Sequence, residues 1–310
     1  MLFCVSLILA LAFDMLIGEI QRWHPLVAFG RLANMLEKRT NNYFDPVNSK
    51  LLGIFSWALL IVPATALMYW INPWHSLWWL DAIVLYYAIA YRSLYDHVQS
   101  VLNALLNNDL NLARKELSKI VSRDTEALDQ QAVRQATIET TLENGSDAVF
   151  ATLFWFVVAG APGLVAYRLC NTLDAMWGYK TSRFVYFGWW TARVDDILNY
   201  VPARLTALTY AALGNTKQAL NCWYKQASKC ESPNAGPVMC SGAGALQVQL
   251  GGATPYHGEI RHKPLIGSGL PPDNQDITRT LRMVTHSLIL WVAIIILITL
   301  LINLAAFGLS

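Results

Sequence analysis

Apolar residues along this chain fall into long runs separated by polar blocks, and the runs give the first reading. Residues 51–71 and 287–307 carry no charged side chain, and each is long enough to cross a hydrocarbon core of about 30 Å as a helix. Residues 2–17 carry Asp14 near their end but have no basic leader and no A-x-A cleavage site, so they read as an uncleaved anchor. Residues 77–91 include Asp81, yet Trp78, Trp79, Tyr86, Tyr87 and Tyr91 suit interfacial belts, so a further span is expected there. The apolar stretch 148–167 is interrupted by Gly160, Pro162 and Gly163. If it crossed fully, it would put the two blocks richest in Lys and Arg on opposite sides of the bilayer, against the positive-inside rule. A broken or re-entrant segment covered by protein avoids that conflict.

The polar blocks have a different periodicity. From Asp96 to Val121 apolar residues recur at Val98, Val101, Leu102, Leu105, Leu110, Ala113, Leu117 and Ile120, which is helix spacing with a break expected at Asn107-Asn108-Asp109. Asp124-Thr125 is the expected N-cap of a helix running to about Glu143. The Gly- and Pro-rich region from Ser232 to Pro272 has no period and reads as a long loop.

Composition agrees with the spans. Of the 310 residues, 14% are charged and 55% hydrophobic, and mean hydropathy is +0.33, where soluble domains average about 25% charged. All 23 Lys and Arg residues fall within 19–50, 92–147 and 168–286. The fold class expected is therefore an all-α, polytopic integral membrane protein in one membrane-embedded domain, with helical cytoplasmic segments and a long Gly/Pro-rich loop. A net charge of +2 gives no field for nucleic acid, which is set aside. The five cysteines are odd in number and lack C-x2-C spacing, so they read as reduced thiols. No P-loop or dinucleotide fingerprint occurs, and His257 with His262 gives only a loose metal hint.

Three polar constellations carry candidate chemistry. Glu139 and Glu143 share a helical face, with Asp147 just beyond Asn144-Gly145; like charges at that spacing repel unless a cation or donor intervenes. Mg2+ or a solvated acidic helix end would each satisfy them. Asp195 and Asn199 share a helical face, and Asp196 lies three residues before Asn199. Such hard oxygen ligands suit Mg2+ carried with a nucleotide, while Arg193 and Arg204 present planar forks for phosphate or carboxylate. Internal Arg to Asp pairing is the alternative. Arg168, Asn171 and Asp174 leave the broken apolar segment on one stripe, which would line a substrate cavity or, for Arg168, snorkel to the interface.

The ordered motifs go further. Gly18 before His24-Pro25 and Gly30-Arg31, then Arg123-Asp124-Thr125, Glu143-Asn144-Gly145-Ser146-Asp147, Tyr167-Arg168 with Asn171-Thr172-Leu173-Asp174 and Gly178-Tyr179 come first. Arg193 with Asp195-Asp196, Asn199 and Pro202-Ala203-Arg204 follow, and then Ser232-Pro233-Asn234-Ala235-Gly236 before Gly244-Ala245-Leu246 and Gly251-Gly252. Together, over about residues 10–267, they resemble the adenosylcobinamide-phosphate synthase (CbiB) family of cobalamin biosynthesis. The chain departs from the family pattern at Gly18-Glu19-Ile20, where the family usually has Gly-Asp-Pro, and at Pro237 and Cys240-Ser241.

The resemblance implies an ATP-dependent amide ligase at the inner or plasma membrane with its site facing the cytoplasm. It would join aminopropanol or its phosphate to the free propionate of adenosylcobyric acid, with Mg2+ as cofactor and ATP as co-substrate. It further implies metal ligands among Glu143, Asp147, Asp195 and Asp196. Arg168, Arg193, Arg204 and Asn199 would serve the phosphates or corrin amides, and Asn171, Asp174 and Glu143 the reacting groups. Lipid and other cobalamin-assembly enzymes are the partners expected beside the corrinoid and the aminoalcohol phosphate. The AmpE-like membrane proteins share an element resembling Arg193–Leu205 and would make the chain a non-enzymatic sensor, but they lack the Asn-Thr-Leu-Asp run.

Overall fold

A computed structural model of the chain describes residues 2–20, 24–41, 45–122, 124–256 and 259–308. It is all-α apart from one hairpin, and three of its helices are long and apolar enough to cross a membrane: Pro46–Ile71, the run Gln130–Trp177, and Asn274–Ala306. The chain is a polytopic membrane protein. It divides into two compact units, residues 1–90, 151–199 and 295–310, and residues 91–150 and 200–294.

In the first unit α1 (Leu2–Ile17) lies against α4 (Trp78–Ala88). Ser6 Oγ donates to the Trp78 carbonyl at 2.7 Å and the Tyr86 hydroxyl to the Gly18 carbonyl at 2.8 Å. With 11 residues, α4 rises about 16 Å at 1.5 Å per residue, roughly half a bilayer core. α2 (Pro25–Thr40) and α3 (Pro46–Ile71) pack on α8 (Ala151–Trp177), around Leu60, Ile61, Leu169, Leu173, Trp177 and Phe187. The outer side of α3 is apolar and exposed at Leu51, Phe55 and Leu59, as a lipid-facing helix requires. The break expected in 148–167 falls at Gly160 (φ 63, ψ −162), a backbone conformation that side chains with a Cβ rarely adopt. Beside it the His75 ring bonds to buried Asp81 at 2.8 Å, whose other oxygen accepts from Asn72 Nδ2 at 2.8 Å.

In the second unit α5 (Tyr91–Leu106) and α6 (Leu110–Leu117) are separated at Asn107–Asp109 as the spacing predicts, with Asp109 accepting from Leu112 N at 2.9 Å. The cap of α7 (Gln130–Asn144) is Asp129, which accepts from Ala132 N at 2.7 Å, and not Asp124-Thr125. Asp124 instead closes a short turn onto Glu126 N. α7 leads into a π-helical turn, Gly145–Phe150, a form that often marks functional positions in helices. A Cβ on Gly145 would lie 2.8 Å from the Tyr210 hydroxyl, which itself donates to the Leu142 carbonyl at 3.2 Å.

α9 (Trp189–Leu213) contributes residues up to 199 to the first unit and from 200 to the second. α10 (Thr216–Gln226) then packs on α11 (Ala235–Leu246). The long loop expected over 232–272 is instead α11 followed by an antiparallel pair, β1 (Gln249–Tyr256) and β2 (Glu259–Gly267). It shows no period because α11 is buried on nearly every side, and a helix buried all round has no amphipathic stripe. Register in the pair shifts between Leu250 and Gly252, which breaks the alternation of a regular strand. α12 (Asn274–Gly308) closes the chain.

Candidate functional site

The first unit gathers five of its polar side chains into one line. Asp195 and Asn199, four apart on α9, both turn inward, and Asn199 Nδ2 donates to Asp195 Oδ2 at 2.9 Å. Across from them on α8, Asn171 Nδ2 donates to Asp195 Oδ1 at 3.3 Å and the Tyr167 hydroxyl to Asn199 Oδ1 at 2.9 Å. Arg168 Nη1 donates to Asn171 Oδ1 at 3.3 Å. Residues 167 and 171 stand one helical turn apart and 168 three before 171, so a single face of α8 supplies all three.

Asp195 is buried, and its carboxylate is met by two neutral amides. Burial is the largest influence on it and, with nearby Asp196, outweighs those amides and Arg168, raising its pKa from the ordinary 3.8 to about 6. A carboxylate so placed exchanges a proton near neutral pH. Asp196, less enclosed, is also raised by burial, against the pull of Arg193 and Lys180.

Arg168 also lines a cavity of about 180 Å3 with Asp14, Glu19, His24, Tyr86, Tyr87 and apolar neighbours including Val27 and Ile89. Gly18, whose N–H donates to the Asp14 carbonyl at 3.0 Å, ends α1 and releases Glu19 to the rim. His24 caps α2, its Nδ1 accepting from Leu26 N at 3.3 Å ahead of Pro25, and its ring meets Tyr87 edge-on at 5.6 Å. Its pKa is lowered, by burial first and by Arg168, with Glu19 opposing, so the ring is neutral at pH 7.

The remaining expected residues have other settings. Asp174 lies one turn beyond Asn171, and Gly178 approaches its carboxylate too closely to admit a Cβ. Arg193 is exposed on α9. Arg204, expected to serve phosphate, spends its guanidinium on the Tyr200 carbonyl (2.8 Å), Asn234 Oδ1 (2.8 Å) and the Pro233 carbonyl (3.1 Å), so it clamps the turn that starts α11. Asn199, expected to touch a cofactor, is buried between Tyr167 and Asp195. Glu143 and Asp147 are half-buried in the second unit. Among the described residues no group of three or more His, Cys, Asp or Glu is placed to hold a metal ion. Arg123 and His257 lie outside the described residues.

Two participants were invisible to spacing. Buried Glu139 accepts from Lys263 Nζ at 3.1 Å and from Gly251 N at 3.2 Å, so the cation its face required is a lysine on β2. Tyr167 had no signal beyond its place in a motif.

The chain matches the model of a family described as CobD/Cbib protein over residues 7–284. It is 51% identical over 293 residues to "Cobalamin biosynthesis protein CobD" of Stutzerimonas stutzeri (strain A1501), covering 94% of this chain and 96% of the relative. It is 51% identical over 294 residues to the protein of the same name from Chromobacterium violaceum, covering 92% and 93%. A Rhodobacter capsulatus protein, again so named, is 34% identical over 296 residues, covering 91% and 92%. No solved structure matches.

Proposed function

Since the chain belongs to the CobD/CbiB family, we propose that it acts in cobalamin biosynthesis as an ATP-dependent amide ligase at the inner membrane. It joins aminopropanol phosphate to the free propionate of adenosylcobyric acid and yields adenosylcobinamide phosphate. The observation that carries the reading is the line Arg168, Asn171, Asp195, Asn199, Tyr167. It places a buried carboxylate with a raised pKa two hydrogen bonds from a guanidinium that lines a cavity.

In the reaction the propionate oxygen attacks the γ-phosphorus of ATP and ADP leaves. The amine then attacks the acyl carbon, phosphate leaves, and the nitrogen gives up a proton. Arg168 and Arg193 are assigned to the phosphate groups, where a guanidinium offers paired donors. Asn171 and Asp174 align the propionate or the amine. Asp195 is suited to proton transfer by its environment, and Asn199 and Tyr167 hold it in place. Arg204 acts through the 233–234 turn that it clamps.

Magnesium enters with the nucleotide, and an ion carried on a triphosphate needs only one or two protein carboxylates. In the first unit Asp196 is assigned to it, with Asp195 a second ligand only in its deprotonated form. Glu143, assigned also to the reacting groups, and Asp147 are the second unit's candidates and are tested separately. The polar blocks face the cytoplasm, where ATP is available, and reporter fusions after Leu110 and after Trp223 are expected to give the same cytoplasmic signal.

The test of function is direct. Purified protein given ATP, Mg2+, adenosylcobyric acid and aminopropanol phosphate is expected to release ADP and phosphate and to form a corrinoid of the condensed mass. No condensed product with aminopropanol phosphate, ethanolamine phosphate or unphosphorylated aminopropanol overturns the reading.

A further inference from the structure

We infer that the cavity beneath Gly18–Ile20 is the seat of the small amine substrate, with its ammonium toward the Asp14 and Glu19 side and its anionic group on Arg168. The assignment rests on the ligase reading and adds a location and a recognition rule to it. Size is the first argument. Pockets for drug-sized ligands run to about 300–1,000 Å3, and a corrinoid or a nucleoside triphosphate needs at least that. A cavity of about 180 Å3 matches a compact aminoalkyl phosphate and is too small to enclose either.

Charge is the second argument. Among the described lining residues Arg168 is the one cation, Asp14 and Glu19 are carboxylates, and burial lowers the pKa of His24. The described lining offers carboxylates to an ammonium and a guanidinium to an anion, so a ligand carrying both charges is favoured over a bare anion. Tyr86, Tyr87, Val27 and Ile89 supply apolar surface for a short carbon chain. The third argument is connection. The guanidinium that would take the anionic group is hydrogen-bonded to Asn171 and through it to Asp195, so a ligand here is joined to the buried carboxylate by groups already in place.

The experiment is equilibrium binding to the purified full-length protein, followed by calorimetry, without nucleotide and again with a non-hydrolysable ATP analogue. The probes are aminopropanol phosphate, aminopropanol and inorganic phosphate. Aminopropanol phosphate is expected to bind, aminopropanol about tenfold more weakly, and inorganic phosphate not measurably, since a charge-assisted hydrogen bond is equivalent to about 10- to 100-fold in affinity. Glu19→Gln, a change at the exposed rim, is expected to weaken both amines about tenfold or more. Val27→Trp is expected to block both by filling the space, and Arg168→Met to remove the preference for the phosphorylated amine. Because Arg168→Met could disturb folding, Glu19→Gln and Val27→Trp decide the matter. Unchanged affinity in both, inorganic phosphate binding as well as aminopropanol phosphate, or no amine binding under either condition overturns the assignment. Binding that follows the expected pattern in a protein that makes no condensed corrinoid would count against the ligase reading and leave this seat standing.

Discussion

Two buried carboxylates, one in each unit, face the same physical difficulty and meet it in opposite ways. Glu139 is met by an ammonium and a backbone N–H, so its charge is countered by another charge. Asp195 is met by the neutral amides of Asn171 and Asn199, which satisfy its oxygens as acceptors and leave its charge in a poorly solvating site. Burial without a paired cation raises a carboxylate's pKa, and that of Asp195 reaches about 6. An ion pair fastens structure; a carboxylate held by neutral donors keeps its proton exchangeable. The contrast separates a residue that secures the β1–β2 hairpin from one that is suited to chemistry.

The largest expected effect comes from making Asp195 resemble its own partners. Asp195→Asn sets an amide against two amide donors and removes the exchangeable proton, so ligation should fall by about 100-fold or more, measured as corrinoid product per folded protein. Full activity in this variant would end the contrast, because Asp195 would then be structural as well.

Next in size is Lys263→Met, which leaves Glu139 with the Gly251 N–H as its remaining bond in this pair of contacts. The expected loss is about 1–3 kcal/mol of stability, read from denaturant or thermal unfolding in detergent. Adding Glu139→Gln should restore part of it, since the carboxylate that has lost its lysine is then neutral. A double variant no more stable than the single one would mean that the lysine acts otherwise.

The smallest effect is a slope. Unfolded Asp195 gives up its proton near the ordinary 3.8, whereas folded Asp195 holds it to about 6. Between those values the folded state binds more protons, so stability contributed by this site falls as pH rises through the window and stays lower above it. Asp195→Asn should flatten that part of the melting-temperature profile, and Lys263→Met should leave it in place.

Helix content was legible where period survives. The break at Asn107–Asp109 and the shared face of Asp195 and Asn199 both appeared at spacings that the structure keeps. α11 was not legible because a helix buried on all sides carries no stripe. Lys263 was not legible because its meeting with Glu139 spans 124 positions and depends on the register of a strand that the Gly and Pro composition concealed. The cavity draws its lining from α1 and its exit, α2, α4 with the residues just after it, and α8, and no local pattern joins segments that far apart. Arg204 shows the converse limit: its residue type suggested a phosphate ligand, and only the positions of Pro233 and Asn234 reveal that Nη1 and Nη2 also hold the turn before α11.

Gly251 gives one of these contacts an unusual genetics. Its N–H reaches Glu139 from a backbone with φ 85, and a Cβ there would fall 2.2 Å from the Pro264 carbonyl. A saturation scan would therefore record position 251 as intolerant to every replacement although it has no side chain to lose. An alanine scan could not divide that intolerance between the collision with Pro264 and the amide turned away from Glu139. Replacing the 250–251 peptide bond by an ester deletes the donor and keeps the glycine, so semisynthesis could read the value of a hydrogen bond that no codon change can isolate.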